Sequence, residues 1–304
     1  LGLPEREYYL ATDAEKKTLR AAYEQHVTKM LVLSGLPPAE AAKQAKAILV
    51  FETALAKASR PIEAMRDVQK LHHRLDAPGL AKLTPKLPWE RFFSAFGQSD
   101  LTAINVMTPE FFPALQKEIG KAPLPTLKAY LRYQLLSATA GLLPDAVYQQ
   151  HFDFQGRTLA GQKEPQPRWK RCITATEQAM GEAIGQLYVQ ERFAGNSKEL
   201  ALDMIHGIAD AFAASLPALA WMDETTRQAA LVKKGTLAWK IGYPEEWRDY
   251  SKLTITRGNH FANAVAARGF EASRQLAQVG KPVDRKEWGM NAQTVNASYN
   301  PLQN

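Results

Sequence analysis

Asp284-Arg-Lys-Glu-Trp-Gly-Met-Asn-Ala-Gln-Thr-Val-Asn-Ala-Ser-Tyr-Asn-Pro-Leu-Gln-Asn304 departs in character from everything before it. From Gln293 to Tyr299 the residues are small, β-branched or aromatic, and Thr294-Val295 favours a pleated backbone, which Asn300-Pro301 then breaks as a turn. The pattern predicts a short strand over 293–299 feeding a hairpin whose second strand is not in this sequence. The rest reads as helical, so the fold class is mainly α.

Working outward, Thr12-Asp13-Ala14-Glu15 has the spacing of a capping box. It opens a helix to about Ser34 with Leu19, Tyr23, Val27, Met30 and Leu31 on one stripe. Pro37-Pro38 opens a second helix to about Ser59, carrying Ile48, Phe51, Glu52 and Leu55 on successive turns. A weaker helix is expected over 61–75, a loop over 78–88, an aromatic helix from Trp89 to Phe96 that anchors core packing, and a short strand over 104–107. Helices follow from Pro109 and over 125–139. The Gly- and Pro-rich segment 140–167 reads as a connection. Beyond it helices are expected over 169–193, from a Ser197 cap to Leu216, after Asp223-Glu224, and over 259–279, with strand character near 253–255.

Composition narrows the function classes. The 304 residues, 45% hydrophobic and 23% charged, are ordinary globular composition. No apolar run approaches the roughly 18 residues of a membrane span. The single cysteine, Cys172, excludes internal disulfides and reads as a buried structural thiol. A net charge of +7 is spread along helices beside Glu and Asp, which describes a solvated mixed surface and not a nucleic-acid footprint; a nucleic-acid binder would instead lose affinity steeply with salt.

His-Glu-x-x-His, Cys-x-x-Cys, Gly-x-Ser-x-Gly and the phosphate-loop pattern are all absent from the sequence. The histidines are scattered, and adjacent His72-His73 point about 100° apart on a helix, so they do not chelate one ion from one face. Read alone, the residues show no catalytic or metal-ligating set in this chain.

Leu1-Gly-Leu-Pro-Glu-Arg-Glu-Tyr-Tyr-Leu10, Arg168-Trp-Lys-Arg-Cys172, Leu187-Tyr-Val189, Trp221-Met-Asp223, Lys240-Ile-Gly-Tyr-Pro244, Asp249-Tyr-Ser251, Pro282-Val-Asp-Arg285 and Gln293-Thr-Val-Asn-Ala297 occur in that order. Together they resemble the M13 family of zinc metallopeptidases, the neprilysin and bacterial PepO-like group. The resemblance implies a helical cap domain over 1–250. A linker helix and first edge strand over 251–304 would begin a thermolysin-like α+β catalytic domain. It implies that Asn296 and Ala297 hold the backbone of a peptide substrate, although Ser298 stands where an aromatic is usual and Asn291-Ala292 replaces Thr-Pro.

Such recognition has a physical basis independent of the family, because an edge strand offers free N–H and C=O groups and an Asn amide supplies both a donor and an acceptor. The resemblance further implies zinc held by ligands outside this chain, a companion C-terminal catalytic segment, and an extracytoplasmic location, periplasmic or secreted. This chain alone would then be inactive. The rival reading is a non-catalytic helical binding or scaffold module derived from such a peptidase.

Overall fold

A computed structural model describes residues 1–299; the Asn300-Pro301 turn expected from sequence lies outside them. The chain divides into two compact units, Leu1–Gln166 and Pro167–Asn304. The division falls at the end of the Gly- and Pro-rich connection.

The first unit is built on α2 (Ala14–Leu33) and α3 (Pro38–Ala58). On α2 the expected stripe is the buried face, with Tyr23, Val27, Met30 and Leu31 inside and His26 added to them. The cap differs from expectation: Asp13, not Thr12, accepts the Lys16 amide N–H at 2.9 Å. A carboxylate there also meets the positive end of the helix dipole, an advantage a hydroxyl lacks.

Ile48, Phe51, Glu52 and Leu55 all point inward from α3. Glu52 is fully buried. Its carboxylate accepts from Gly2 N–H at 2.9 Å, Tyr9 Oη at 2.9 Å, Tyr23 Oη at 2.7 Å and Gln134 Nε2 at 3.2 Å. The opening segment and α1 (Arg6–Leu10) are thereby tied to the two long helices and to α7 (Leu124–Thr139). Gly2 is required for this close approach, since a side chain there would meet the Tyr23 hydroxyl at 2.0 Å.

Between these helices the sequence reading needs correction. Instead of a helix over 61–75 the chain forms two 3₁₀ turns, Ile62–Arg66 and Val68–Leu71, then β1 (Arg74–Leu75). Asp67 restarts the backbone pattern by accepting from Lys70 N–H, as short polar side chains do at turns. Antiparallel β2 (Ile104–Asn105) pairs Leu75 with Ile104, which locates the strand expected over 104–107. The expected loop over 78–88 holds α4 (Ala77–Leu83), capped by Asp76, with Pro78 in the first turn where no amide donor is needed. α5 (Trp89–Ala95) forms as predicted, but Phe92 and Phe96 are half exposed. They pack with Trp89 and Phe93 as a small satellite cluster instead of anchoring the core.

After α6 (Phe111–Lys121) and α7, the connection over 140–167 carries α8 (Asp145–Phe152), which runs on into a wider π turn over Asp153–Leu159.

The second unit comprises α9 (Arg168–Arg192), α10 (Ser197–Ser215), α11 (Glu224–Thr236) and α12 (His260–Leu276). Asn196 occupies the N-cap position of α10, where Ser197 was expected, while Asp223 and Asn259 cap α11 and α12 through the Thr226 and Ala262 amides. Cys172 is exposed, not buried. Residues 253–255 are irregular. So is 293–299, expected as an edge strand: the β1–β2 pair is the only sheet among the described residues, so this segment has no neighbour to complete a ladder.

Candidate functional site

The expected substrate-binding pair lies at the end of a strap that begins after α12 and is fastened to α9. The fastening starts at a break in α9, where Met180 has φ −144° and ψ 45°. Immediately beyond it Gly181, Glu182 and Gly185 are buried.

Glu182 faces the 247–250 loop. It accepts the Arg248 backbone N–H at 2.9 Å and pairs with the Arg248 guanidinium at 2.7 Å. Arg248 reaches Glu271 of α12 at 3.1 Å, Glu271 pairs with Arg274 at 2.8 Å, and Arg274 pairs with Glu287 at 2.6 Å. Alternating charges thus link α9, α12 and the start of the strap. The Arg274 hydrogen bond holds the Glu271 carboxyl below its ordinary range, and the same bond raises the Arg274 guanidinium. Beside this ladder lies a cavity of about 470 Å³ walled in part by Trp239, Tyr243, Trp247 and Trp288. Tyr243 and Trp247 stack, and Lys198 lies over the Tyr243 ring.

The far part of the strap is fixed by Gln293, whose Nε2 donates to the Gly181 carbonyl at 3.2 Å and to Glu177 at 3.4 Å. Gln293 sits within a turn closed by Thr294 N–H to the Asn291 carbonyl at 3.0 Å. Residues 294–299 then run exposed, with Val295 wholly in solvent. The structure brings Asn296 and Ala297 together: Asn296 Oδ1 accepts the Ala297 N–H at 2.8 Å. Among the described residues neither the Val295 N–H nor the Ala297 carbonyl takes a hydrogen bond. The Asn296 N–H is itself taken by the Thr294 carbonyl at 3.1 Å, so an extended chain alongside has the Val295 N–H and the Ala297 carbonyl to pair with, beside a fixed anchor.

The sequence reading named Asn296 and Ala297 and missed the residues that hold them. The signal was present in Gly181 and Gly185, spaced four apart inside a long helix where glycine weakens helix formation by about 1 kcal/mol relative to Ala. Such a pair points to close approach by another segment.

No three His, Cys, Asp or Glu side chains gather as a metal site among the described residues. His26 and His151 have ring centroids 6.1 Å apart, too few donors for a zinc site. Among the described residues, therefore, no set of donors fits a resident zinc ion.

Comparison with known proteins agrees with this architecture. Residues 1–244 match the model of peptidase family M13. An endothelin-converting enzyme homolog of Locusta migratoria is 32% identical over the whole of this chain, which spans 44% of that protein. The inhibitor-bound structure of the Mycobacterium tuberculosis zinc metalloprotease Zmp1 superposes with a TM-score of 0.91 at 33% identity, covering 99% of this chain and 46% of that one. PepO of Lactobacillus rhamnosis gives a TM-score of 0.89 at 25% identity, covering 99% of this chain and 48% of the other.

This mainly helical chain shares its fold with these relatives. It belongs to peptidase family M13. The chain spans less than half the length of these relatives.

Proposed function

We propose that this chain is part of a zinc-dependent metalloendopeptidase that hydrolyses peptides outside the cytoplasm. It supplies the helical enclosure and the segment that aligns the substrate, while the zinc ligands and the catalytic groups lie in a companion segment. Residues 1–250 form the cap; 251–304 form the linker and the segment that becomes the first edge strand of the catalytic body once the companion segment supplies its neighbouring strand.

The observation that carries the reading is the exposed run 294–297, fastened at Gln293 and open at the Val295 N–H and Ala297 carbonyl. A peptide adding alongside would take up these groups, exchanging the internal Asn296–Ala297 hydrogen bond for bonds to its own backbone. Recognition of this kind reads backbone and tolerates varied side chains. A companion segment is supported by α10, whose Leu200, Met204, Ile208 and Phe212 form an exposed apolar stripe at four-residue spacing.

The test is Asn296→Ala in the full-length protein. Losing a substrate hydrogen bond of about 1–3 kcal/mol lowers kcat/KM by roughly 5- to 150-fold while bound zinc stays unchanged. Unaltered peptidase kinetics would refute the assignment of Asn296.

A further inference from the structure

Gly181 and Gly185 stand one turn apart on α9, and residues 291–293 lie directly on them. A methyl group at Gly181 would fall 2.1 Å from Asn291 Nδ2, 2.5 Å from its Cγ and 2.6 Å from its Oδ1. One at Gly185 would fall 2.9 Å from Gln293 Oε1 and 3.4 Å from the Ala292 Cβ. No side chain fits at Gly181 unless the Asn291 amide leaves its place, and none fits at Gly185 without displacing Gln293. The helix is bare where the strap crosses it.

We infer that Gly181 and Gly185 are positioning residues for peptide binding: they key the strap against α9 so that Asn296 and Ala297 are presented at a fixed place and angle. The inference rests on the reading of Asn296 and Ala297 as substrate-aligning.

Three observations carry it. Gln293 is bonded to the Gly181 carbonyl itself, so the hydrogen bond and the steric contact fix the strap at the same point. Gln293 Oε1 is buried with no hydrogen-bond donor among the described residues. The amide is thus held by its Nε2 bonds, and its oxygen keeps this buried place against Gly185 at a desolvation cost, so a group added at Gly185 meets an atom with no hydrogen bond to hold it. Finally, the Asn291–Thr294 turn leaves Asn296 only three residues from the keyed Gln293, so a shift of the key reaches the binding residues with little slack.

The experiment uses the full-length protein and a quenched-fluorescent peptide. Gly181→Ala and Gly185→Ala are compared with Asn296→Ala, with zinc content and thermal midpoint recorded for each. The expected result is a rise in KM of about 10-fold or more for Gly181→Ala and a smaller rise for Gly185→Ala, both at unchanged zinc content. Adding Asn291→Gly, which removes the atoms the new methyl strikes, returns the KM of Gly181→Ala toward wild type. That rescue is specific to the contact.

Wild-type KM in both glycine variants with an impaired Asn296→Ala overturns the keying and leaves the peptide-binding reading intact. Wild-type behaviour of Asn296→Ala removes that reading and this inference with it. A raised KM that Asn291→Gly does not relieve also overturns the keying. If Gly181→Ala does not fold, Gln293→Ala detaches the strap without touching the helix; the same rise in KM is expected, and its absence is contrary.

Discussion

The Tyr23 hydroxyl donates to Oε2 of Glu52 at 2.7 Å, joining α2 to α3 through a carboxylate with no exposure to solvent. Burial pushes the Glu52 carboxyl up, against the opposing pull of hydrogen bonds from Tyr23, Tyr9 and the Gly2 amide. A folded-state pKa above the unfolded value contributes stability that is present at low pH and lost as pH rises through the folded value. Near neutrality the donors are therefore what keeps this group tolerable.

Removing one donor by Tyr23→Phe is expected to cost about 1–3 kcal/mol. Glu52→Ala, which strands several buried donors, costs more than about 3 kcal/mol. Urea unfolding followed by circular dichroism checks both; equal costs for the two variants would show that the carboxylate is not the hub.

Acid titration probes a second buried group. Desolvation lowers the His26 imidazole to about 3, and the neighbouring His151 is lowered for the same reason. A depressed folded pKa contributes stability that is complete above the unfolded value of about 6.5 and drains away as pH falls toward the folded value. Between pH 7 and 4, His26 should lose about 2–3 kcal/mol. His26→Phe, placed against Phe154 where the imidazole now stacks, should flatten that limb of the urea-midpoint profile. A limb of undiminished slope would be contrary.

The helix start at Asp13 gives a third test. Asp13→Ala is expected to cost about 1 kcal/mol and Thr12→Ala only a few tenths, because the carboxylate of Asp13 takes the Lys16 amide. Denaturant midpoints of the two variants should separate in that order.

Much of this was legible from spacing alone. The stripes of α2 and α3 follow from three- and four-residue recurrence, and Glu52 shares successive turns with Ile48, Phe51 and Leu55; that a carboxylate is buried there depends on donors from distant elements. Errors gathered where a local polar side chain overrides the pattern: Asp67 and Asp76 open new turns that the Pro and Gly content had disguised. The 293–299 segment shows a different limit. Its composition favours a strand, yet a strand exists only when another pairs with it, and the described residues supply none. The proposed roles of Asn296 and Ala297 rest on the family resemblance; Gly181 and Gly185, which lie beneath Asn291 and Gln293, are marked in the sequence by their cost to a helix.

The central claim is that this chain serves a zinc-dependent peptidase, and peptide hydrolysis by the full-length protein under chelation tests it most directly. Cleavage of an unstructured peptide that is abolished by a chelator and restored by added zinc is the predicted result. A properly folded full-length protein that cleaves no peptide, or that cleaves equally well after all metal is removed, would contradict it.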